Sequence, residues 1–399
     1  MEQVLYKLPD GWKWQELADV VVKTENLNPL KHADQLWTYI DISSVDRDRF
    51  TVTDPQKILG KDAPSRAKRH VQLNDVIFAT TRPNLKNIAL IQNEYSSPVA
   101  STGFCVLRAN ENVLPAYLFY FVTTDFVQAQ IEPYVGGASY PAITDGNLKK
   151  TPIPIPSIEE QKLIVEKLDA LLTRIDTTIK HLQESVTLAD ALYASELACV
   201  FSSGQGKWPL RELNRVAEVA RGKSKHRPRN DKSLFGGEHP FIQTGDVRNA
   251  QKYITNYSAT YNEKGLQQSK LWPKDTICLT IAANIGDVAI LGMDACFPDS
   301  VVGISSSELE TDYLYYFLTT LQQQLDSKAN AAAQKNINLK ILSEIKIPVP
   351  TLDEQKSIVR QINEIDRLAV KAKAEISEKI TMMQQLKASI LDSAFKGEL

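Results

Sequence analysis

Cysteine is scarce in this 399-residue chain, and the four present (Cys105, Cys199, Cys278, Cys296) show no CxxC spacing. That argues against a disulfide framework or a zinc site and suits a reducing compartment. No apolar run reaches the roughly 18 residues a membrane span needs, and the start, Met1 to Lys7, lacks the charged-then-apolar pattern of a secretory signal. A soluble, cytoplasmic protein without membrane contact is expected. Catalytic signatures are missing too: there is no phosphate-cradling GxxxxGK[ST], no HExxH and no GxSxG elbow. His32, His70, His181, His226 and His239 stand alone, without ligands at metal spacing. Nor is there an Asn-Pro-Pro-aromatic tetrapeptide or a glycine-rich cofactor loop to suggest methyl transfer. Glu344-Ile345-Lys346 has the spacing of a metal-dependent nuclease, but its counterpart, Lys150-Thr151-Pro152, lacks the acid. The chain is expected to be a non-catalytic subunit with no metal or cofactor of its own.

Glycine and proline are also missing from two runs of 45 residues, 158–202 and 352–396. Each run follows nearly the same words. Ile153-Pro154-Ile155-Pro156-Ser157-Ile158-Glu159-Glu160-Gln161-Lys162-Leu163-Ile164-Val165 returns 194 residues later as Ile347-Pro348-Val349-Pro350-Thr351-Leu352-Asp353-Glu354-Gln355-Lys356-Ser357-Ile358-Val359, with eight of 13 positions identical. Internal duplication is the economical explanation. The alternating prolines keep the chain extended, and Ser157 with Glu160, then Thr351 with Glu354, form the S/T-x-x-E capping box that starts a helix. Apolar residues at steps of three and four follow: Ile164, Leu168, Leu171, Ile175, Ile179, Leu182, Val186, Ala189 and Leu192, then Ile358, Ile362, Ile365, Ala369, Ala372, Ile376, Ile380, Met383, Leu386 and Ile390. That is a coiled-coil seam, with Lys167, Arg174, Gln183, Lys373 and Glu378 expected on the surface. Each helix would be about 67 Å long at 1.5 Å per residue. So long a stripe needs an equally long partner, and the other copy in antiparallel pairing is the nearest candidate.

Fainter similarity precedes each helix. Trp12 to Leu17 resembles Trp208 to Leu213, Tyr39 to Val45 resembles Phe241 to Val247, and Asn74-Asp75-Val76 to Thr80 parallels Lys274-Asp275-Thr276 to Thr280. Tyr117-Leu118-Phe119-Tyr120-Phe121 matches Tyr313-Leu314-Tyr315-Tyr316-Phe317. The expected fold is α+β: two mixed α/β domains, 1–150 and 205–345, each followed by a helical region, 151–204 and 346–399, in a pseudo-twofold internal repeat whose long helices form an antiparallel coiled coil. What differs between copies are the intervening loops, and they hold the charge. Lys57, Lys61, Arg66, Lys68 and Arg69 crowd one stretch; Arg221, Lys223, Lys225, Arg227 and Arg229 crowd another. Such clusters suit phosphates, and Arg can also read guanine. A basic loop is often merely solvated, but one cluster per repeat favours nucleic acid. Further candidates are Arg82, Asn84, Lys86 and Asn284 after strand-like runs, and Ser139, Tyr140, Gln334 and Lys335 in small polar segments before the linkers.

This arrangement resembles the specificity subunit of type I restriction-modification enzymes over the whole chain. The I-P-[IV]-P-[ST]-x-[ED]-E-Q-K-x-I-V helix entry is its most specific motif, and the tail from Lys387 to Leu399, KASILDSAFKGEL, is nearly as characteristic. The resemblance implies two target-recognition domains, each reading one half of an asymmetric, gapped site in double-stranded DNA, with the helices setting the gap. It implies docking of two methyltransferase subunits, which use S-adenosylmethionine to methylate adenine. Two restriction subunits, which use ATP and Mg, can then join. Two rivals are a recognition subunit for a fused methyltransferase-nuclease partner and a coiled-coil scaffold that does not bind DNA.

Overall fold

A computed structural model describes residues 5–137, 139–202, 206–226, 228, 231–282, 285–321 and 339–399. The two runs without glycine or proline are continuous helices, Ile158–Ser202 and Leu352–Lys396, 45 residues each. Both begin in reciprocal caps. The Ser157 N–H donates to Glu160 Oε2 at 3.1 Å and the Glu160 N–H to Ser157 Oγ at 3.3 Å; Thr351 and Glu354 do the same at 3.0 and 3.4 Å. The Ser157 hydroxyl, its N–H and the Trp12 indole hold the Glu160 carboxyl below the usual range. The Thr351 N–H, its hydroxyl and the Trp208 indole do so for Glu354. The tryptophan that opens each repeat thus reaches the cap that closes it.

The chain folds as two compact units, residues 1–183 with 377–399 and residues 184–376. They cut across the helices, whereas the four sequence segments end at them. Within each unit the helices run antiparallel. In the first, Lys387 Nζ reaches Asp176 at 2.8 Å and Lys167 Nζ reaches the Leu399 carbonyl at 3.0 Å; in the second, Lys373 Nζ reaches Asp190 at 2.8 Å. Asp176 and Asp190 are fourteen residues apart on one helix, as are Lys373 and Lys387 on the other, so each unit has an equivalent lysine–aspartate pair.

The two units repeat one topology. In the first, Lys13–Glu16 pairs antiparallel with the proline linker strand Pro152–Ile155; in the second, Leu210–Glu212 pairs with Lys346–Pro348. A four-stranded sheet runs in the order Gln56–Leu59, Leu36–Ile40, Pro98–Ser101, Ala67–His70, with the middle pair parallel. Its counterpart is Ala259–Tyr261, Phe235–Phe241, Ala295–Cys296, Leu271–Trp272, with the same pair parallel. A second sheet runs Val21–Val22, Phe104–Ala109, Val76–Ala79, Ile88–Leu90, matched by Glu218–Arg221, Val301–Ser305, Ile277–Thr280, Val288–Leu291 plus an edge strand, Tyr253–Ile254. The helices Pro115–Thr123 and Thr311–Thr320 pack on these sheets and meet the long helices.

Three expectations need correction. The seam is not purely apolar: Leu172, Tyr193, Lys373 and Lys387 are buried or half-buried, whereas Leu192, Ala372 and Leu386 are exposed and Leu171 is only half-buried. Lysine stems lie along the seam while their ammonium groups reach out to aspartates, which an apolar pattern cannot register. Second, the strands 76–79 and 277–280 align one residue away from the sequence match. The left-handed turn residue is Asn74 (φ 69°) in one copy and Asp275 (φ 66°) in the other, and their N–H groups bond Ile91 and Leu291. Asn and Asp both tolerate that backbone, so the turn fixes the register. Third, the first basic stretch is not a loop: Lys57, Lys68 and Arg69 lie on the two edge strands of a sheet.

Candidate nucleic-acid interface

Backbone bonds in the first domain join two segments at one exposed tip. Residues 80–82 are laced to 136–143: the Ile143 N–H bonds the Thr80 carbonyl at 2.9 Å, the Arg82 N–H bonds the Pro141 carbonyl at 2.6 Å, and Ala142 bridges to both Thr81 and Gly136. Arg82 is held in left-handed backbone (φ 49°, ψ 56°), an uncommon state for a non-glycine residue that persists where surrounding structure imposes it. Its guanidinium lies 5.7 Å from the centroid of the Tyr140 ring, which is 78% exposed. Exposed Ser139 and Asn84 flank the pair. Beneath lies a cavity of about 540 Å³ whose walls include Pro83, Asn84, Gln128, Ile131 and Pro141. The tip therefore offers a guanidinium fork, an amide and a ring face to solvent, the donor set that reads base edges.

The other first-domain candidates divide. Lys61 and Arg66 are exposed and make no ion pair among the described residues. Lys57 is exposed but donates to Thr38 Oγ1 at 2.6 Å, and Lys68 donates to Asn28 Oδ1 at 3.1 Å. Arg69 is half-buried in an ion pair with Asp145 at 2.7 Å. Lys86 is bound to Asp125 at 2.6 Å and to the Thr123 carbonyl at 3.0 Å. It also has left-handed backbone (φ 49°) where the other copy has Gly286 (φ 86°), so its side chain anchors a turn that the other copy makes with glycine.

In the second unit Arg221 is exposed at the end of the strand Glu218–Arg221, and Lys223 and Lys225 are exposed just after it. Gly222 is required there, because a Cβ would stand 2.2 Å from the Phe297 carbonyl oxygen. The loop is fastened by His226 Nε2 with Asp231 at 2.7 Å, and Ser233 and then His226 bring the Asp231 carboxyl down to about 2. Arg227, Arg229, Asn284, Gln334 and Lys335 lie outside the described residues. The basic clusters are not equivalent in the fold. One spans the edge strands 56–59 and 67–70, whose counterparts are 259–261 and 271–272; the other follows 218–221, whose counterpart is 21–22. One cluster per repeat is thus no repeated feature, and the tip with Arg82 and Tyr140 carries more weight.

Residues that recur in both sequence copies, read there as matching scaffold positions without assigned contacts, hold each domain onto the helices. Gln161 and Gln355 are almost wholly buried. Gln161 accepts from the Leu114 N–H at 2.8 Å and donates to the Asn112 and Pro156 carbonyls at 2.9 and 3.2 Å. Gln355 accepts from the Glu310 N–H at 2.7 Å and donates to the Pro350 and Glu308 carbonyls at 3.0 and 3.4 Å. The Tyr117 and Tyr313 hydroxyls bond the Pro154 and Pro348 carbonyls at 2.8 and 2.9 Å. Tyr120 bonds Asp169, and Tyr316 bonds Asn363. Phe395 closes on Tyr117 and Phe121, as Phe201 does on Tyr313 and Phe317. Their identity in both copies was the available signal.

The model of the type I restriction modification DNA specificity domain matches twice, over residues 9–188 and 205–382. The chain belongs to that family. Type I specificity subunits are similar along its length. The StySPI subunit of Salmonella potsdam is 22% identical, covering 98% of this chain and 90% of its own. The EcoKI subunit of Escherichia coli is 21% identical with the same coverage. Among solved structures, a chain from "Structural basis underlying complex assembly and conformational transition of the type I R-M system" has TM-score 0.83 and 32% identity, covering 99% of this chain and all of that one. The HsdS subunit of Thermoanaerobacter tengcongensis has TM-score 0.59 and 32% identity, covering 99% of each. Both family segments run from a domain into its long helix, whereas the compact units cut those helices, leaving 184–202 with the second unit and 377–399 with the first. Among the described residues no helix is long and apolar enough to cross a membrane, and no group of three or more His, Cys, Asp or Glu could hold a metal ion.

Proposed function

We propose that this chain is the sequence-specific DNA-binding subunit of a cytoplasmic type I restriction-modification complex. Each unit reads one half of an asymmetric, gapped site. The supporting observation is the specificity-domain match over both copies of a duplicated fold whose loops differ. It does not favour the fused-partner or scaffold rivals. Lys61 and Arg66, with Arg221, Lys223 and Lys225, contact phosphates and fix position, while Arg82, Asn84 and Tyr140 read base edges. Ser139 joins the tip residues, and Arg227, Arg229, Asn284, Gln334 and Lys335, outside the described residues, remain candidates for DNA contact by residue type alone.

The chemistry belongs to partners. Two methyltransferase subunits supply S-adenosylmethionine and methylate an adenine in each half-site, and restriction subunits supply ATP and Mg chemistry. This chain contributes position: DNA held on both sides of the gap eases withdrawal of the target base from the stack. Salt dependence of binding by the assembled complex tests the proposal. If about five phosphates are neutralised, log affinity falls with log salt at a slope of about −4 to −5. No measurable DNA binding at low salt would reject it.

A further inference from the structure

The cavity beneath the tip is larger than the reading of base edges requires. Its volume of about 540 Å³ falls within the roughly 300–1,000 Å³ of small-molecule sites, whereas an arginine or asparagine that reads a groove needs no cavity. It lies wholly within the first unit and adjoins the tip. Wall residue Pro83 follows Arg82 in the chain, and wall residue Pro141 follows Tyr140 and accepts the Arg82 N–H at 2.6 Å. Asn84 belongs to both, a wall residue that is also exposed beside Arg82.

Pro83, Ile131, Val135 and Pro141 make much of the wall apolar, and its polar groups are few. Gln128 and Glu132 stand four apart at the end of the helix Asp125–Ile131, where Glu132 keeps helical backbone (φ −48°, ψ −45°), so the two share a face. Gln128 Nε2 is buried and has no hydrogen-bond partner among the described residues, so it gives up no bond when it turns to an acceptor in the cavity. The Glu132 carboxylate supplies the opposite function, an acceptor. No lysine or arginine stands in the wall among the described residues, and the carboxylate repels phosphate. A flat, neutral ligand with a ring acceptor beside an amino donor fits this pair: the amide donates to the ring nitrogen and the carboxylate accepts from the amino group. On their Watson–Crick edges adenine and cytosine carry both groups, and thymine does not.

We infer that this cavity receives one adenine or cytosine turned out of the half-site bound by the first unit, with Arg82 and Tyr140 filling the gap left in the stack. Left-handed backbone and the ring contact hold Arg82 in place for that task, and both a guanidinium plane and a phenol ring stack on bases. The role rests on the DNA-reading function proposed above and deepens it: one base of the half-site is read outside the duplex, and it is not the adenine that a methyltransferase subunit takes.

The test is binding of the full chain, assembled with its methyltransferase subunits, to duplexes of the recognised site in which the nucleotide opposite each adenine and cytosine in turn is made abasic. A base that leaves the stack on binding does so more easily when unpaired, so affinity rises wherever one is taken out. The methylated adenines account for one such rise in each half-site. One further position, in the half-site that Arg82→Ala blurs, is expected to bind about tenfold more tightly than the intact duplex. Ala129→Trp fills the cavity from an exposed wall position, and Gln128→Leu keeps the shape while removing the donor; both abolish that further rise, and Ala129→Ser keeps it. Unfolding midpoints no lower than that of the unmodified chain separate a blocked cavity from lost folding. Rises confined to the methylated adenines, or a further rise that survives Ala129→Trp, would overturn the cavity's role while leaving the specificity-subunit reading intact. No binding to any duplex would overturn that reading and the cavity's role with it.

Discussion

Gln161 shows how much a single repeated residue decides. A glutamine in the first turn of a long helix reads as a solvated polar residue, yet here its amide is buried and satisfies three backbone groups. Replacing it by leucine would strand a donor and two acceptors, and unmet buried groups cost about 1–3 kcal/mol. Gln161→Leu and Gln355→Leu are each expected to lower stability by that amount in denaturant titration, whereas the exposed neighbours Lys162 and Lys356 tolerate alanine. Arg82 makes the functional counterpart. Loss of a bidentate base contact costs about 1–3 kcal/mol and relaxes one position. Arg82→Ala is therefore expected to blur a single base in one half of the recognised site, read by methylation sequencing, with the other half unchanged. Tyr140 orients the guanidinium, a contact worth about 0.5–1 kcal/mol at an exposed site. Tyr140→Ala should weaken the same position and Tyr140→Phe should preserve it; equal effects would contradict the stacking role.

At the scale of elements, the helices were the most legible part of the sequence and the seam the least. Caps, bounds and length follow from residues adjacent in the chain, and both helices have the bounds that the absence of glycine and proline sets. Register depends on residues far apart. Lys373 and Lys387 look like surface lysines beside Ala372 and Leu386, and only pairing with Asp190 and Asp176 reveals them at the seam. The pairs are expected to select register more than to add stability, since partly exposed pairs contribute about 0.2–1 kcal/mol. Asp176→Lys and Lys387→Asp should each lower the unfolding midpoint, and the double exchange should recover it. No recovery would mean that the ion pair does not set the register. The sheets were partly legible as well: strand positions recur in sequence, but the one-residue offset at Asn74 and Asp275 depends on hydrogen bonds to Ile91 and Leu291 that no local pattern encodes.

Across the whole molecule, duplication organises everything else. The tyrosines, glutamines, tryptophans and phenylalanines that fasten domain to helix occur in both copies, while the exposed basic clusters do not and Arg82 of the tip stands opposite Ala282. Attachment is common and surface chemistry is individual, as a reader of two unlike half-sites requires. The proposed DNA contacts were the least legible from sequence, because a basic residue looks alike whether exposed or paired: Arg66 is exposed, whereas Arg69 three residues on is spent on Asp145. The most direct test is methylation-sensitive long-read sequencing of DNA from cells carrying this gene and its methyltransferase partner, against cells lacking this gene alone. A new asymmetric motif, gapped, with N6-methyladenine in both halves, is the predicted result. With both proteins expressed and associated, the absence of any new motif, or a continuous ungapped one, would contradict the account.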